Sequence, residues 1–255
     1  MAQLKLSVCI EMIFNQLDIL DRPAAVAAVG LPGCEFWGWK NKDVDAIKAR
    51  ADAAGVQIAG FCVVADAPLV NPDTTAQWVE DAKASILEAK RVGVPTLIVT
   101  TGQEMDLCRK AQHDAVVAGL KGIAPFAEEH GITLVLEPLN VLVDHKGYFL
   151  VTSDEGFAIL DEVASPRVKL LFDIYHQQIS EGNLIARITS NIEQIGHFHV
   201  ADVPGRFEPG TGEINYTNVF AKIAETDYAG FVGLEFRPTG DPAAALRQAK
   251  AIAGL

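Results

Sequence analysis

Cysteine is scarce in this 255-residue chain, basic residues are in the minority, and no apolar run is long enough to cross a bilayer. The four cysteines, Cys9, Cys34, Cys62 and Cys108, have no CxxC spacing, and three lie inside apolar strand-like runs. Buried free thiols in a reducing compartment are therefore expected. Lys and Arg number 21 against 33 Asp and Glu, a net charge of −12. Duplex nucleic acid and anionic membranes reward clustered cations, so neither is expected as a partner. The most apolar stretches, such as Val56–Val64 and Val94–Thr100, are of strand length and end in polar residues, which excludes a membrane span. Met1–Ile13 contains Gln3, Lys5 and Glu11 and does not read as a signal peptide, so a cytoplasmic location is expected. Several motifs are missing too. Leu6–Phe14 holds no glycine, so the dinucleotide GxGxxG after a first strand is absent, as are GxxxxGK[ST] and GxSxG. With 21 glycines and 12 prolines the chain is far from the composition of disorder.

What is present is alternation. Strand-like runs occur at Leu4–Ile10, Cys34–Trp37, Val56–Val64, Thr96–Thr101, Thr133–Leu139, Val168–Tyr175, Gly196–Val200 and Val232–Phe236. Most are continuously apolar, as strands covered on both faces of a parallel sheet should be. Helix-period segments lie between them: Arg22–Val29, Asp43–Ala54, Thr74–Val92, Asp106–His130, Ser153–Val163, Leu184–Ile192, Asn215–Glu225 and Pro242–Ile252. Thr74 and Ser153 read as N-caps. Gly30, Gly55, Gly93 and Gly131 stand where a left-handed residue ends a helix. No linker or composition shift divides the chain. Eight βα units over residues 1–255 predict an α/β fold, a single (β/α)8 TIM barrel in one domain, in preference to an open doubly wound sheet.

In such a barrel chemistry sits at the carboxyl ends of the strands. There the fifth strand ends Leu136-Glu137-Pro138, the sixth Phe172-Asp173-Ile174, the seventh holds Phe198-His199-Val200 and the eighth Leu234-Glu235-Phe236. Taken singly, such residues read as a salt-bridged rim glutamate, a turn cap or a hydrogen-bonded interior histidine. Four on four successive strands read differently, because charges inside apolar strands are costly unless paired or metal-bound. Glu137, Asp173, His199 and Glu235 are therefore the expected ligands of a divalent cation. Oxygen-rich donors with one nitrogen favour Mn²⁺ or Mg²⁺, with Co²⁺ or Zn²⁺ as the further options. His176, three residues beyond Asp173, can reach the substrate side. Arg206 and Arg237 follow the last two ligands and suit an anionic group such as a carboxylate, ordinary surface arginines being the other reading.

At Glu35-Phe36-Trp37-Gly38-Trp39, Leu136-Glu137-Pro138-Leu139-Asn140, Phe172–His176, Gly196–Asp202 with Pro204-Gly205-Arg206, Glu208–Tyr216 and Gly233–Phe236, the sequence resembles the xylose-isomerase-like TIM-barrel superfamily. Within it the likeness is greatest to the hydroxypyruvate isomerases, and it spans nearly the whole chain. The resemblance implies a metal on Glu137, Asp173, His199 and Glu235, with Glu137 and Glu235 also acting as the catalytic acid/base pair. It implies substrate contacts from His176 and Arg206, and a homo-oligomer, dimer or tetramer. One departure concerns the substrate. Similar ketose 3-epimerases carry a glutamate six residues beyond the first metal glutamate, where Val143 stands here, and Lys146 brings a positive charge nearby. That change favours a short 2-oxo acid over a neutral ketohexose, with Lys146 as a plain surface loop residue the other reading. The expected reaction is the interconversion of hydroxypyruvate and 2-hydroxy-3-oxopropanoate. The rivals are a ketose 3-epimerase or a sugar-acid dehydratase on the same barrel. Trp37, Trp39 and Phe207 are expected to wall the pocket, core packing being the other reading for Trp37. Metal-cluster hydrolases need more histidines than the six present, three of which (His113, His130 and His145) lie outside the strand-end set.

Overall fold

A computed structural model describes residues 3–255. Met1 and Ala2, part of the amino-terminal stretch and of the 1–255 domain read above, lie outside the described residues. Eight parallel strands close on themselves in chain order: β1 Lys5–Cys9, β2 Gly33–Glu35, β3 Gln57–Cys62, β4 Thr96–Val99, β5 Thr133–Leu136, β6 Val168–Asp173, β7 Ile195–Val200 and β8 Phe231–Leu234. The last strand pairs with the first at Ser7 with Gly233. The single TIM barrel expected from the alternation is the observed fold.

Helices α1 Arg22–Ala28, α2 Val44–Ala54, α3 Thr75–Val92, α4 Arg109–His130, α5 Ser153–Val163, α6 Ile174–Ser180, α7 Leu184–Ser190, α8 Tyr216–Ala224 and α9 Pro242–Ile252 surround the barrel. Their apolar faces and the outward strand residues form the main core, with Trp78, Phe61 and Phe220 fully buried. Gly55, Gly93 and Gly131 end α2, α3 and α4 in the left-handed conformation, as their positions predict. Two caps differ. Thr152, not Ser153, accepts from the Glu155 amide at the start of α5, and Thr74 makes no side-chain cap for α3. The sixth strand also stops earlier than its apolar run. Asp173 ends β6 and caps the short helix α6 by accepting from the His176 amide, so Ile174, Tyr175 and His176 are helical. Cys9 and Cys34 are buried, Cys62 half-buried and Cys108 exposed, all as free thiols. Among the described residues no helix is long and apolar enough to cross a membrane.

Alternate residues of a strand face one side of the sheet, so the barrel interior is built in layers. Ile98, Val135 and Leu171 from β4, β5 and β6 form a small apolar cluster of their own, with Cys62 against it. Two residues further along their strands stand Glu137 and Asp173, on the same inward face. The apolar cluster is thus the floor of the polar site above it.

Candidate metal and acid/base site

Strand register brings the four strand-end residues together. Asp173 pairs with His199 across β6 and β7, and His199 with Gly233 across β7 and β8. The chain continues each pairing one step past the strand, where Glu137 N–H donates to Val99 O and Glu235 N–H to Val200 O, both at 3.0 Å. All four side chains are buried. His199 is the centre: its Nδ1 lies 3.3 Å from Glu137 Oε1 and 3.5 Å from Glu235 Oε2. Ligand atoms of Glu137, Asp173 and His199 lie within 4.8 Å of one another.

The electrostatics are those of acids held together against repulsion. Burial raises the Asp173 carboxyl above the ordinary aspartate value, and the charges of Arg206 and His199 only partly offset this. Burial would raise Glu235 too, but His199, Arg206 and the Trp37 indole hold its carboxyl below the glutamate value. The indole N–H of Trp37 donates to Glu235 Oε1 at 2.9 Å, and Arg206 Nη2 donates to Glu235 Oε2. The donor set fits a divalent cation. Three carboxylates meet one imidazole, and His199 Nδ1 and His176 Nε2 are buried without a hydrogen-bond partner among the described residues. Oxygen donors with a single nitrogen suit Mn²⁺ or Mg²⁺.

His176, on α6, is fully buried beside this cluster, its Nε2 3.5 Å from Asp173 Oδ2. The Asn140 side-chain amide lies 2.7 Å from His176 Nδ1, and the Asn140 backbone N–H also donates there at 3.3 Å. Two donors on Nδ1 leave the ring proton on Nε2. Burial, then the charge of Arg206, lowers the His176 pKa to about 3, so the ring is neutral at pH 7. Arg206 lies 5.3 Å over the Tyr175 ring, and Tyr175 O–H donates to Asp144 Oδ2 at 2.7 Å.

The other expected pocket residues are placed less centrally. Trp37 is 43% exposed, at the rim, and joins the site through its indole. Trp39 donates its indole N–H to Ser85 Oγ at 3.0 Å and packs against the main core. Lys146 is exposed on the loop after β5, and Phe207 stands at the edge of exposure. Glu35, His197, Asn140, Asp144 and Asp202 carry the site from behind without having been singled out in the sequence. Glu35 did leave a signal, a charge inside an apolar strand run like that of Glu137. The spacing His197-x-His199 also places both rings on one strand face.

A concavity of about 1020 Å³ opens at the opposite, amino-terminal mouth, lined by Lys5, Arg167 and Lys169 among others. The converging acids lie at the other end of the barrel, and they mark the candidate site.

Comparison with known proteins places the whole chain in a family. Residues 23–253 match the model of the family described as xylose isomerase-like TIM barrel. The 2-oxo-tetronate isomerase of Cupriavidus necator is 32% identical over 251 residues, covering 93% of this chain and 94% of that protein. The hydroxypyruvate isomerase of Escherichia coli is 30% identical over 256 residues, covering 96% and 97%. A Brucella melitensis protein described as an AP endonuclease of family 2 superposes with a TM-score of 0.91 at 27% identity, covering 97% and 98% of the two chains. The chain is an isomerase, and it belongs to the xylose isomerase-like TIM barrel family.

Proposed function

We propose that this enzyme catalyses a metal-dependent 1,2-proton transfer on a short 2-oxo acid, interconverting hydroxypyruvate and 2-hydroxy-3-oxopropanoate or a close homologue. The observation that carries the reading is a pair of buried glutamates at the ends of different strands, Glu137 and Glu235, both close to one imidazole nitrogen at 3.3 and 3.5 Å. Glu137, Asp173, His199 and Glu235 would hold the cation, Mn²⁺ or Mg²⁺ before Co²⁺ or Zn²⁺. A divalent ion bound there supplies Lewis acidity, which makes a proton beside a substrate carbonyl acidic enough to remove.

The chain's own groups do the rest. One glutamate takes the proton from one substrate carbon and the other returns a proton to its neighbour. The Trp37 indole fixes the Glu235 carboxylate in place. Neutral His176 offers its Nε2–H to a substrate oxygen, because Asn140 occupies its other nitrogen. Arg206 faces the substrate carboxylate, with Lys146 as a second cation on the nearby loop. Trp37 and Phe207 limit access of water from the rim, while Trp39 packs behind them against the main core. The isomerases named above support the substrate class, since each acts, by its name, on a short oxo acid.

A proton NMR time course in D₂O with hydroxypyruvate tests the reading, on chelated and Mn²⁺-reconstituted protein, with metal removed before each spectrum. Expected is metal-dependent formation of 2-hydroxy-3-oxopropanoate, with solvent deuterium at the exchanged carbon. Glu137→Gln and Glu235→Gln should each lower kcat by about 10²–10⁴-fold while the circular dichroism spectrum stays unchanged. Full activity in metal-free protein would overturn the role of the cation. Turnover of ketoses by 3-epimerisation, with hydroxypyruvate untouched, would replace the substrate.

A further inference from the structure

Below the acid cluster the barrel interior is apolar on one side only. Opposite Ile98, Val135 and Leu171, the strands β1, β2 and β7 place Ser7, Glu35 and His197, all buried. Glu35 is the hub of this layer. Its Oε2 accepts from Ser7 Oγ at 2.9 Å and faces His197 Nε2 at 2.9 Å. Its Oε1 lies 3.1 Å from His199 Nε2, and neither of these two buried atoms has a hydrogen-bond partner among the described residues. The strand opposite makes room for the pair. A Cβ on Gly233 would stand 2.3 Å from Glu35 Oε1 and 2.8 Å from His199 Cδ2, so only glycine lets the carboxylate reach the ring.

A carboxylate in the middle of a barrel is costly, and packing does not require one there, since the other half of the layer is aliphatic. An ionised carboxylate only accepts hydrogen bonds, and a cation among Glu137, Asp173 and Glu235 would take the lone pair of the His199 nitrogen that faces them, which leaves the ring proton to Nε2, beside Glu35. With the proton of His199 on Nε2, the lone pair stays on Nδ1, the atom that faces Glu137 and Glu235.

We propose that Glu35 is the positioning residue of the cation site: it holds His199 in the tautomer and ring orientation that leave Nδ1 free to ligate, while Ser7 and His197 fix Glu35 itself. The proposal rests on the metal-site reading above. It places the determinant of metal affinity on β2, a strand that contributes no ligand. Outer-shell partners of this kind typically govern affinity by 10–100-fold.

Mn²⁺ binding, read from the electron paramagnetic resonance signal of free Mn²⁺ at fixed pH, tests it on wild type, Glu35→Gln and Ser7→Ala. Expected is one Mn²⁺ per chain throughout, with affinity about 10–100-fold weaker in Glu35→Gln and a smaller loss in Ser7→Ala, which removes the hydroxyl that donates to Glu35. Nitrogen-15 histidine spectra of the Mg²⁺-loaded wild type need no variant, and should show His199 protonated at Nε2. A Glu35→Gln protein that binds Mn²⁺ within about threefold of wild type, or a His199 protonated at Nδ1, would overturn the proposal. So would a second Mn²⁺ in wild type that is lost in Glu35→Gln, because Glu35, His197 and His199 would then be ligands themselves. A wild type that binds no Mn²⁺ at all would instead overturn the metal site on which the proposal stands.

Discussion

Asp144 shows how much of the site depends on a residue that touches no substrate. Its Oδ2 accepts from the Asn140 side-chain amide at 3.0 Å and from Tyr175 O–H at 2.7 Å. Asn140 sets the His176 proton, and the Tyr175 ring lies under Arg206, so a single carboxylate steadies both groups proposed to meet the substrate. Partial burial would raise the Asp144 carboxyl. The hydrogen bonds from Asn140 and Tyr175, with the charge of Arg206, hold it below the ordinary aspartate value instead. A carboxyl lowered by folding stabilises the native state above its unfolded pKa, about 3.9, and loses that contribution as pH falls through the lower folded value. Asp144→Asn should therefore melt below wild type at pH 7, with the gap closing as pH is lowered past about 4. Thermal melts at pH 7 and pH 3 check this. A gap that is the same at both would mean that the charge is irrelevant and only shape was lost.

The loop from β7 to α8 is the element that aims Arg206. Its organiser is Asp202, fully buried, whose carboxylate accepts backbone N–H bonds from Val203, Gly210, Thr211, Gly212 and Ile214. Arg206 sits in this loop with φ 59°, a left-handed conformation costly for a side chain with a Cβ. Its carbonyl accepts from Arg237 N–H at 2.8 Å, which ties the loop to the end of β8. Gly212 has no space for a side chain, since a Cβ would stand 2.0 Å from the Val203 carbonyl oxygen. Gly212→Ala should cost about 1–3 kcal/mol and raise KM for a carboxylate substrate more than it lowers kcat. Unchanged melting and KM would show that the loop absorbs the methyl group without moving Arg206. Sequence alone reaches the strands and the four acid-cluster residues, because a charge closing an apolar run contradicts its surroundings and demands a partner. It reaches less far where one residue has two duties. Asp173 ends a strand and caps a helix, so Ile174-Tyr175-His176 reads as more strand. Glu35 breaks an apolar run as visibly as Glu137, but its partners are His197, 162 positions away, and a ring whose role was already assigned. Asp202 binds only backbone, which leaves no pattern of side chains to read.

At the scale of the molecule, a closed barrel with a net charge of −12 gathers Glu137, Asp173 and Glu235 at one mouth, with Arg206 on Glu235 and the His199 ring against both glutamates. The strands that carry these acids belong to one continuous hydrogen-bonded ring, so repulsion between them acts on the closure of the barrel and not on a loop that can swing away. A divalent cation held by the folded chain and not by the unfolded one should therefore stabilise the whole domain. At about a hundred times its dissociation constant the linkage amounts to about 2.7 kcal/mol. For a domain of this size that raises the melting temperature by about 5–10 °C. Differential scanning calorimetry of chelated protein, with and without Mn²⁺, measures the shift. Asp173→Asn is the control: it keeps the side-chain volume, and its amide oxygen can still accept the His176 amide N–H that begins α6, yet it removes one anionic ligand. Wild type should gain the full shift and Asp173→Asn little of it. An equal shift in both would place the stabilising ion outside the four-residue cluster, and with it the chemistry assigned to the carboxyl end of the barrel.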